Sequence, residues 1–160
     1  MKKHDAKVLF SSKSMEWATP RPFFMRLNEE FGFTLDPCAK PHNALCNKYF
    51  TEEDDGLIQN WQGHRAFVNP PYGRAVGLWV KKCFEESRKP DTTVVMLIPA
   101  RTDTKYWHNY VMKADELHLV KGRIKFGGGT NSAPFPSAVV VFRGDKGTEN
   151  PPKIFSMSNQ

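Results

Sequence analysis

The sequence predicts an α/β fold with a mostly parallel sheet and an antiparallel terminal strand. Apolar runs that are typical of strands alternate along the chain with stretches of helical spacing, which favours parallel pairing. The run over residues 94–98 is continuously apolar, as expected of a strand buried on both faces. The last two apolar runs are separated by a loop rich in glycine and proline, which indicates a closing hairpin.

The first half of the chain is expected to contain one helix and three strands. Thr19 is expected to be the N-cap of the helix and Pro20 its first residue. Apolar residues then recur at helical spacing as far as Gly32, which is expected to end the helix. Strands are predicted over residues 33–36, 48–50 and 66–68, and an acidic loop over 51–56 precedes the third of them.

The second half is expected to continue the alternation and to end in a strand pair. Helices are predicted over 76–88 and 106–113, and strands over 94–98, 116–120, 122–126 and 137–143. The 160 residues are 39% hydrophobic and 25% charged, which suits one globular domain. We expect a flexible N-terminal arm over residues 1–16, the domain over 17–143, and a mobile polar tail over 144–160.

The charge and composition restrict the class of protein. A net charge of +6 and a pI near 9.3 favour polyanionic partners such as nucleic acid. Three cysteines without a disulfide-framework spacing fit the reducing cytoplasm. We expect a cytoplasmic protein without a membrane partner, because no apolar stretch approaches the ~20 residues that span a bilayer.

The sequence Asn69-Pro70-Pro71-Tyr72-Gly73 follows the predicted strand over 66–68 and suggests a site for a planar amine. Open α/β sheets bind ligands where their strands end. The two prolines restrict the backbone to an extended shape. The Asn69 side-chain oxygen and the Pro70 carbonyl can then accept both hydrogens of one amino group, while Tyr72 stacks on the ring that bears it. This arrangement activates the amine without a metal.

Upstream residues suggest a second, adjoining pocket at the same edge of the sheet. Asp36 ends a predicted strand, and its carboxylate can hold an ammonium group. Thr19-Pro20 opens a helix whose free N–H groups suit a carboxylate. Asp54 and Asp55 can accept hydrogen bonds from ribose hydroxyls or an adenine amine. Together these features fit S-adenosylmethionine bound beside an amino-group acceptor.

At this point the chain resembles the phage-type DNA N6-adenine methyltransferases, small enzymes related to Dam. The resemblance extends from about residue 17 to residue 143. The segments that carry it are Trp17-Ala18-Thr19-Pro20, Phe33-Thr34-Leu35-Asp36-Pro37-Cys38-Ala39, Asp55-Gly56-Leu57, Asn69-Pro70-Pro71-Tyr72-Gly73 and Pro134-Phe135-Pro136-Ser137. The chain departs from the family pattern after the first strand, where Cys38-Ala39-Lys40-Pro41 replaces the usual glycine-rich turn.

The resemblance implies a Rossmann-like S-adenosylmethionine-dependent methyltransferase fold and a target adenine that is flipped out of the DNA. The residues implied at the reacting base are Asn69, Pro70, Pro71 and Tyr72. The residues implied in cofactor binding are Trp17, Thr19, Pro20, Asp36, Pro37, Asp54, Asp55 and Asn69. Phe135 and Trp107 are candidate stacking partners for Tyr72, and no cysteine nucleophile or metal is expected.

Double-stranded DNA is the expected partner, and the chain is too short to hold a separate recognition domain. Specificity is therefore expected from loops over 74–77, 101–105 and 125–131. The predicted DNA-binding residues are Arg74, Arg101, Lys105, Arg123, Lys125 and Asn131. The sequence leaves open whether the protein is a monomer or a homodimer. A phage or prophage origin is expected, with activity in the bacterial cytoplasm.

Five alternatives accompany this interpretation. The same fold and motif also serve methylation of adenine in RNA or of glutamine in proteins, and a non-catalytic nucleic-acid-binding module is a further alternative. Cys38, His42, Cys46 and His64 raise the question of a zinc site, but a Cys-x-x-Cys pair is missing. The glycines at 127–129 lack the Lys-Ser or Lys-Thr of a phosphate-binding loop, so a hairpin tip is favoured there.

Overall fold

A seven-stranded sheet with three α-helices forms the part of the chain that the structure, a computed structural model, describes: residues 17–128, 132–144 and 150–160. The strands are β1 (Leu35–Asp36), β2 (Lys48–Tyr49), β3 (Arg65–Val68), β4 (Thr93–Pro99), β5 (Glu116–Lys121), β6 (Ser137–Phe142) and β7 (Lys153–Ser158). The helices are α1 (Arg21–Phe31), α2 (Val76–Ser87) and α3 (Lys105–Asn109). The predicted arm over 1–16 lies outside the described residues.

The strands lie in the order β2-β1-β3-β4-β6-β5-β7, and only β6 runs antiparallel to its described neighbours, β4 and β5. This mostly parallel α/β sheet confirms the predicted fold class. In β4 all residues but the first are buried, as the continuous apolar run predicts. Because β1 and β3 are parallel neighbours, their carboxyl ends lie at the same edge of the sheet. Asp36 is the last residue of β1 and Asn69 directly follows β3, so both residues lie at that edge.

The predicted strand pair over 122–126 and 137–143 is wrong. The second segment forms β6, but its partners are β4 and β5. Gly122 has a φ of +82°, which ends β5, and residues 126–128 form a short 3₁₀ helix. Ile124 and Phe126 are buried while Lys125 is exposed, so the alternation that resembled a strand comes from a loop covering the core.

Residues 153–158, which belong to the tail that we expect to be mobile, form β7 and pair in parallel with β5. The strand lies at the edge of the sheet, and five of its six residues are exposed. Backbone hydrogen bonds to β5 hold this strand in place, so it can form without an apolar face. Its polar sequence therefore looks like that of an irregular tail. Residues 145–149 lie outside the described residues.

Helix α1 begins one residue later than predicted. Pro20, with φ −59° and ψ 132°, is the N-cap, and Arg21 is the first helical residue. Thr19 therefore precedes the cap, and no side chain caps the helix start. The helix buries the predicted apolar face and ends at Gly32, whose φ of +61° suits glycine. In the described residues, no helix is long and apolar enough to cross a membrane.

Candidate functional site

The segment Asn69-Pro70-Pro71-Tyr72 lies in the loop that follows β3, at the edge of the sheet where Asp36 ends β1. Both prolines and Tyr72 are buried. Gly73 turns the chain with a φ of +105° towards α2. The loop is therefore held against the core, as the prediction of a pre-set shape requires.

The nitrogen of the Asn69 side chain donates two hydrogen bonds, whereas its oxygen accepts none from the described residues. Nδ2 donates hydrogen bonds to the backbone oxygen of Trp17 at 2.7 Å and to Oγ1 of Thr19 at 2.9 Å. Oδ1 is buried and has no hydrogen-bond partner among the described residues. A buried acceptor is costly when unpaired, so this atom is suited to bind a donor from outside the chain.

Tyr72 lies within an aromatic cluster that also contains Trp17, Phe126 and Phe135. Its ring centroid lies 5.4 Å from that of Phe135 and 6.0 Å from that of Phe126, both edge to face. The Trp17 ring lies 6.4 Å away and within 22° of parallel. Tyr72 is only 8% exposed, and burial raises the pKa of its hydroxyl well above 10, so it stays neutral at physiological pH.

Of the two candidate partners for Tyr72 in stacking on the base, Phe135 lies against the Tyr72 ring, edge to face, but Trp107 does not belong to this cluster. Trp107 is buried in α3, and no ring contact joins it to Tyr72 among the described residues. Phe126 is not among the residues that the sequence predicts at this site, because the alternation around it predicts a strand. A glycine run directly after an aromatic residue was the available sign that this residue sits on a turn.

Asp36 is a buried carboxylate at the end of β1. It is 4% exposed, and one of its oxygens accepts the N–H of Leu45 at 3.0 Å. Burial raises the pKa of Asp36 to about 6, although hydrogen bonds from the backbone of Leu45 and Cys38 act in the opposite direction. A carboxylate that has lost hydration in this way gains strongly from a cationic partner.

A cavity of about 460 Å³ lies beside the amide of Asn69. It is lined by residues 18–22 together with His42, Asn43 and Gly127. Thr19 is both a wall of this cavity and a hydrogen-bond acceptor for Asn69, so the two features adjoin. Trp17, Asp36, Pro37, Asp54 and Asp55 were also predicted at the cofactor, but they are not among the residues that line it.

Asp54 and Asp55 form turns that lie against the end of β1. Oδ2 of Asp54 accepts the N–H of Thr51 at 2.8 Å, and Oδ1 of Asp55 caps the 3₁₀ helix Gly56–Ile58. A Cβ atom added to Gly56 would lie 2.0 Å from the carbonyl oxygen of Pro37. Glycine is thus needed at position 56 for this loop to pack beside Asp36-Pro37. A role of Asp54 and Asp55 in binding the cofactor stays a prediction.

The predicted DNA-binding residues Arg74, Arg101, Lys105, Arg123 and Lys125 are all exposed. The Arg101 guanidinium lies 5.7 Å from the ring centroid of Phe135, over its face. Arg74 follows Tyr72 closely in the chain and Lys125 precedes Phe126, whereas Arg101 contacts the aromatic cluster directly. Asn131 lies outside the described residues.

The four residues considered for zinc do not meet as ligands in the described part of the chain. No group of three histidine, cysteine or acidic side chains suited to a metal occurs there. Nδ1 of His64 instead makes a 3.0 Å hydrogen bond with Oγ1 of Thr34. Burial raises the pKa of Cys46 to about 12 and that of Cys38 higher still, so neither is a thiolate at neutral pH.

Comparison with known proteins identifies the family. A family model described as DNA N-6-adenine-methyltransferase (Dam) matches residues 7–160. A DNA N-6-adenine-methyltransferase of Haemophilus phage HP1 (strain HP1c1) is 32% identical over 134 residues, which cover 79% of this chain and 77% of the phage protein. A protein of the same name from Escherichia phage T1 is 30% identical over 103 residues, covering 63% of this chain and 42% of its own length. The chain therefore belongs to the DNA N6-adenine methyltransferase (Dam) family, which confirms the resemblance of its motifs.

Proposed function

We propose that this methyltransferase transfers a methyl group from S-adenosylmethionine to the amino nitrogen of an adenine flipped out of double-stranded DNA. The observation that carries the proposal is the buried Oδ1 of Asn69, which has no hydrogen-bond partner among the described residues and belongs to the same loop as the aromatic ring of Tyr72. An amide oxygen at the end of a strand can accept a hydrogen bond from an aromatic amine, and the face of a neighbouring ring can stack on the ring that bears the amine. The family to which the chain belongs supports this choice of acceptor.

Methyl transfer requires that the lone pair of the amino nitrogen points at the methyl group of the donor. Oδ1 of Asn69 and the carbonyl oxygen of Pro70 accept the two amino hydrogens, so the nitrogen stays directed at the donor. S-adenosylmethionine supplies an electrophilic methyl group on a positively charged sulfur. When the methyl group moves to the amino nitrogen, the C–S bonding pair would remain on the donor sulfur as a neutral thioether, and the amine would release one proton to solvent. Correct positioning supplies much of the acceleration.

Because Oδ1 of Asn69 is buried, the base can reach it only when covering residues move, and we propose that these are the rings around Tyr72. Trp17 is the partly exposed member of the cluster, and its ring is nearly parallel to that of Tyr72. We expect the rings over Tyr72 to separate and the base to enter against its face. Stacking of this kind stabilises a flipped base by about 1–3 kcal/mol.

The donor is proposed to occupy the cavity beside Thr19. Its volume of about 460 Å³ lies in the range of small-molecule sites. The uncapped start of α1 supplies backbone N–H groups for the donor carboxylate, and Arg21 adds positive charge at the cavity wall. Asp36, Asp54 and Asp55 do not line this cavity, so we propose that the donor extends beyond it. The buried carboxylate of Asp36 then pairs with the donor ammonium group, and Asp54 and Asp55 bind its ribose or adenine.

Methyl transfer to separate DNA, RNA and protein pools tests the proposal. Tritiated S-adenosylmethionine should label DNA, and nucleoside analysis should place the label in N6-methyladenine. Asn69→Ala should abolish the label. Asn60→Ala is the matched control, because Asn60 is exposed at the opposite end of β3. Label confined to RNA or protein, or undiminished transfer by Asn69→Ala, would overturn the proposal.

A further inference from the structure

We infer that Thr19 is a positioning residue that sets the orientation of the Asn69 amide, an inference that rests on the proposed function. The amide nitrogen of Asn69 has two hydrogens, and the structure pairs both of them. One bond goes to the Trp17 carbonyl oxygen at 2.7 Å and the other to Oγ1 of Thr19 at 2.9 Å. Both acceptors belong to the segment directly before α1.

The bond to the Trp17 carbonyl oxygen determines whether Nδ2 or Oδ1 of Asn69 faces Trp17. Rotating the amide by half a turn would place Oδ1 of Asn69 about where Nδ2 now is, at close to 2.7 Å from the Trp17 oxygen. Two acceptors at that distance repel one another, whereas nitrogen in the same place donates. Oδ1 therefore faces away from Trp17 and is left for an incoming amino group.

The second bond fixes the plane of the amide. A single hydrogen bond from Nδ2 leaves the group free to swing about the donor–acceptor line. Pairing the second hydrogen with Thr19 removes that freedom, because both N–H directions lie in the amide plane. The lone pairs of Oδ1 lie in the same plane, so Thr19 determines where the amino group of a base must lie.

The two bonds also make Oδ1 a better acceptor. Donating both hydrogens shifts electron density in the amide towards its oxygen, as in other hydrogen-bonded chains inside proteins. Oδ1 is buried, so water does not screen this effect. Thr19 thus acts on the reacting amine through Asn69, without contact to the amine itself.

A matched pair of substitutions tests the role of the hydroxyl. Thr19→Val keeps the shape of the side chain and removes the acceptor, while Thr19→Ser keeps the acceptor. We expect Thr19→Val to lower kcat for DNA methylation on the order of 10- to 100-fold and Thr19→Ser to recover most of that loss. Because Thr19 lines the donor cavity, donor binding is measured separately by calorimetry, and kcat is compared at saturating donor.

A readout without substrate keeps the inference independent of activity. In the unliganded protein, the side-chain NH₂ protons of Asn69 should give two protected, downfield NMR signals in the wild type and in Thr19→Ser. In Thr19→Val one of them should move upfield and exchange faster. Unchanged signals in Thr19→Val, or equal loss of kcat in both variants, would overturn the inference. A wild type that shows these signals but methylates no DNA would instead overturn the proposed function.

Discussion

The backbone N–H of Gly127 donates a hydrogen bond to the carbonyl oxygen of Ala18 at 2.8 Å. This bond joins the loop that carries Phe126 to the segment that carries Trp17, and the two rings meet at 5.6 Å, edge to face. The two segments therefore close over Tyr72 as a connected pair. Opening the aromatic cluster for a base requires this bond to break or both segments to move together.

The ring of Tyr72, and not its hydroxyl, is expected to matter for activity. The hydroxyl donates only a long 3.4 Å hydrogen bond to the Leu97 carbonyl oxygen, whereas the ring makes three aromatic contacts. Tyr72→Phe should retain kcat/KM for DNA within about threefold, while Tyr72→Ala should lose about 10- to 100-fold, the worth of one stacked base. Steady-state methylation measures both. An equal loss in the two variants would show that the hydroxyl carries the effect.

The parts of the fold and of the site that depend on contiguous residues can be predicted from the sequence. The apolar run of β4 and the Asn-Pro-Pro-Tyr loop after β3 are local patterns, and the structure has both. The aromatic cluster depends on rings from four separate places in the chain, so only Phe135 was anticipated beside Tyr72. The bonds from Asn69 to Trp17 and Thr19 likewise follow from tertiary packing, which no spacing rule encodes.

The errors have physical causes as well. An edge strand such as β7 is stabilised by its backbone, so a polar sequence conceals it. The loop around Phe126 alternates buried and exposed residues without strand pairing, so period-two alternation alone was misleading. At α1, Thr19 and Pro20 both have the chemistry of a helix start, but Pro20 is the N-cap and the hydroxyl of Thr19 accepts a hydrogen bond from Asn69.

Arg101 is expected to contribute to DNA binding through charge. It is exposed and lies over the ring of Phe135, next to the proposed entry of the base. Arg101→Gln should weaken DNA binding and reduce the slope of log K against log salt concentration by about 1. Lys81→Gln is the control, because Lys81 forms an exposed pair with Glu85 on α2. Fluorescence anisotropy at several salt concentrations measures both. Equal slopes in the two variants would contradict the prediction.

Gly56 is expected to tolerate no side chain, because the carbonyl oxygen of Pro37 occupies the space. Gly56→Ala should lower the free energy of unfolding by about 2 kcal/mol, as overpacking against backbone does. Gly63→Ala is the control: Gly63 has a φ of +83° and no atom near its Cβ position, so it reports backbone strain alone, about 1 kcal/mol. Urea denaturation measures both. A smaller loss in Gly56→Ala than in Gly63→Ala would show that the contact relaxes easily.

Donor binding is expected to weaken as the pH falls through about 6, the pKa to which burial raises Asp36. Below that pH the unliganded carboxyl is protonated and uncharged, so pairing it with the donor ammonium first requires loss of a proton. The donor Kd should rise towards tenfold per pH unit below 6 and be nearly constant above 7. Asp36→Asn should bind more weakly and lose this dependence, because asparagine has no titratable carboxyl. Calorimetry between pH 5 and 8 measures the Kd, and an equally steep dependence in Asp36→Asn would assign the titration to another group.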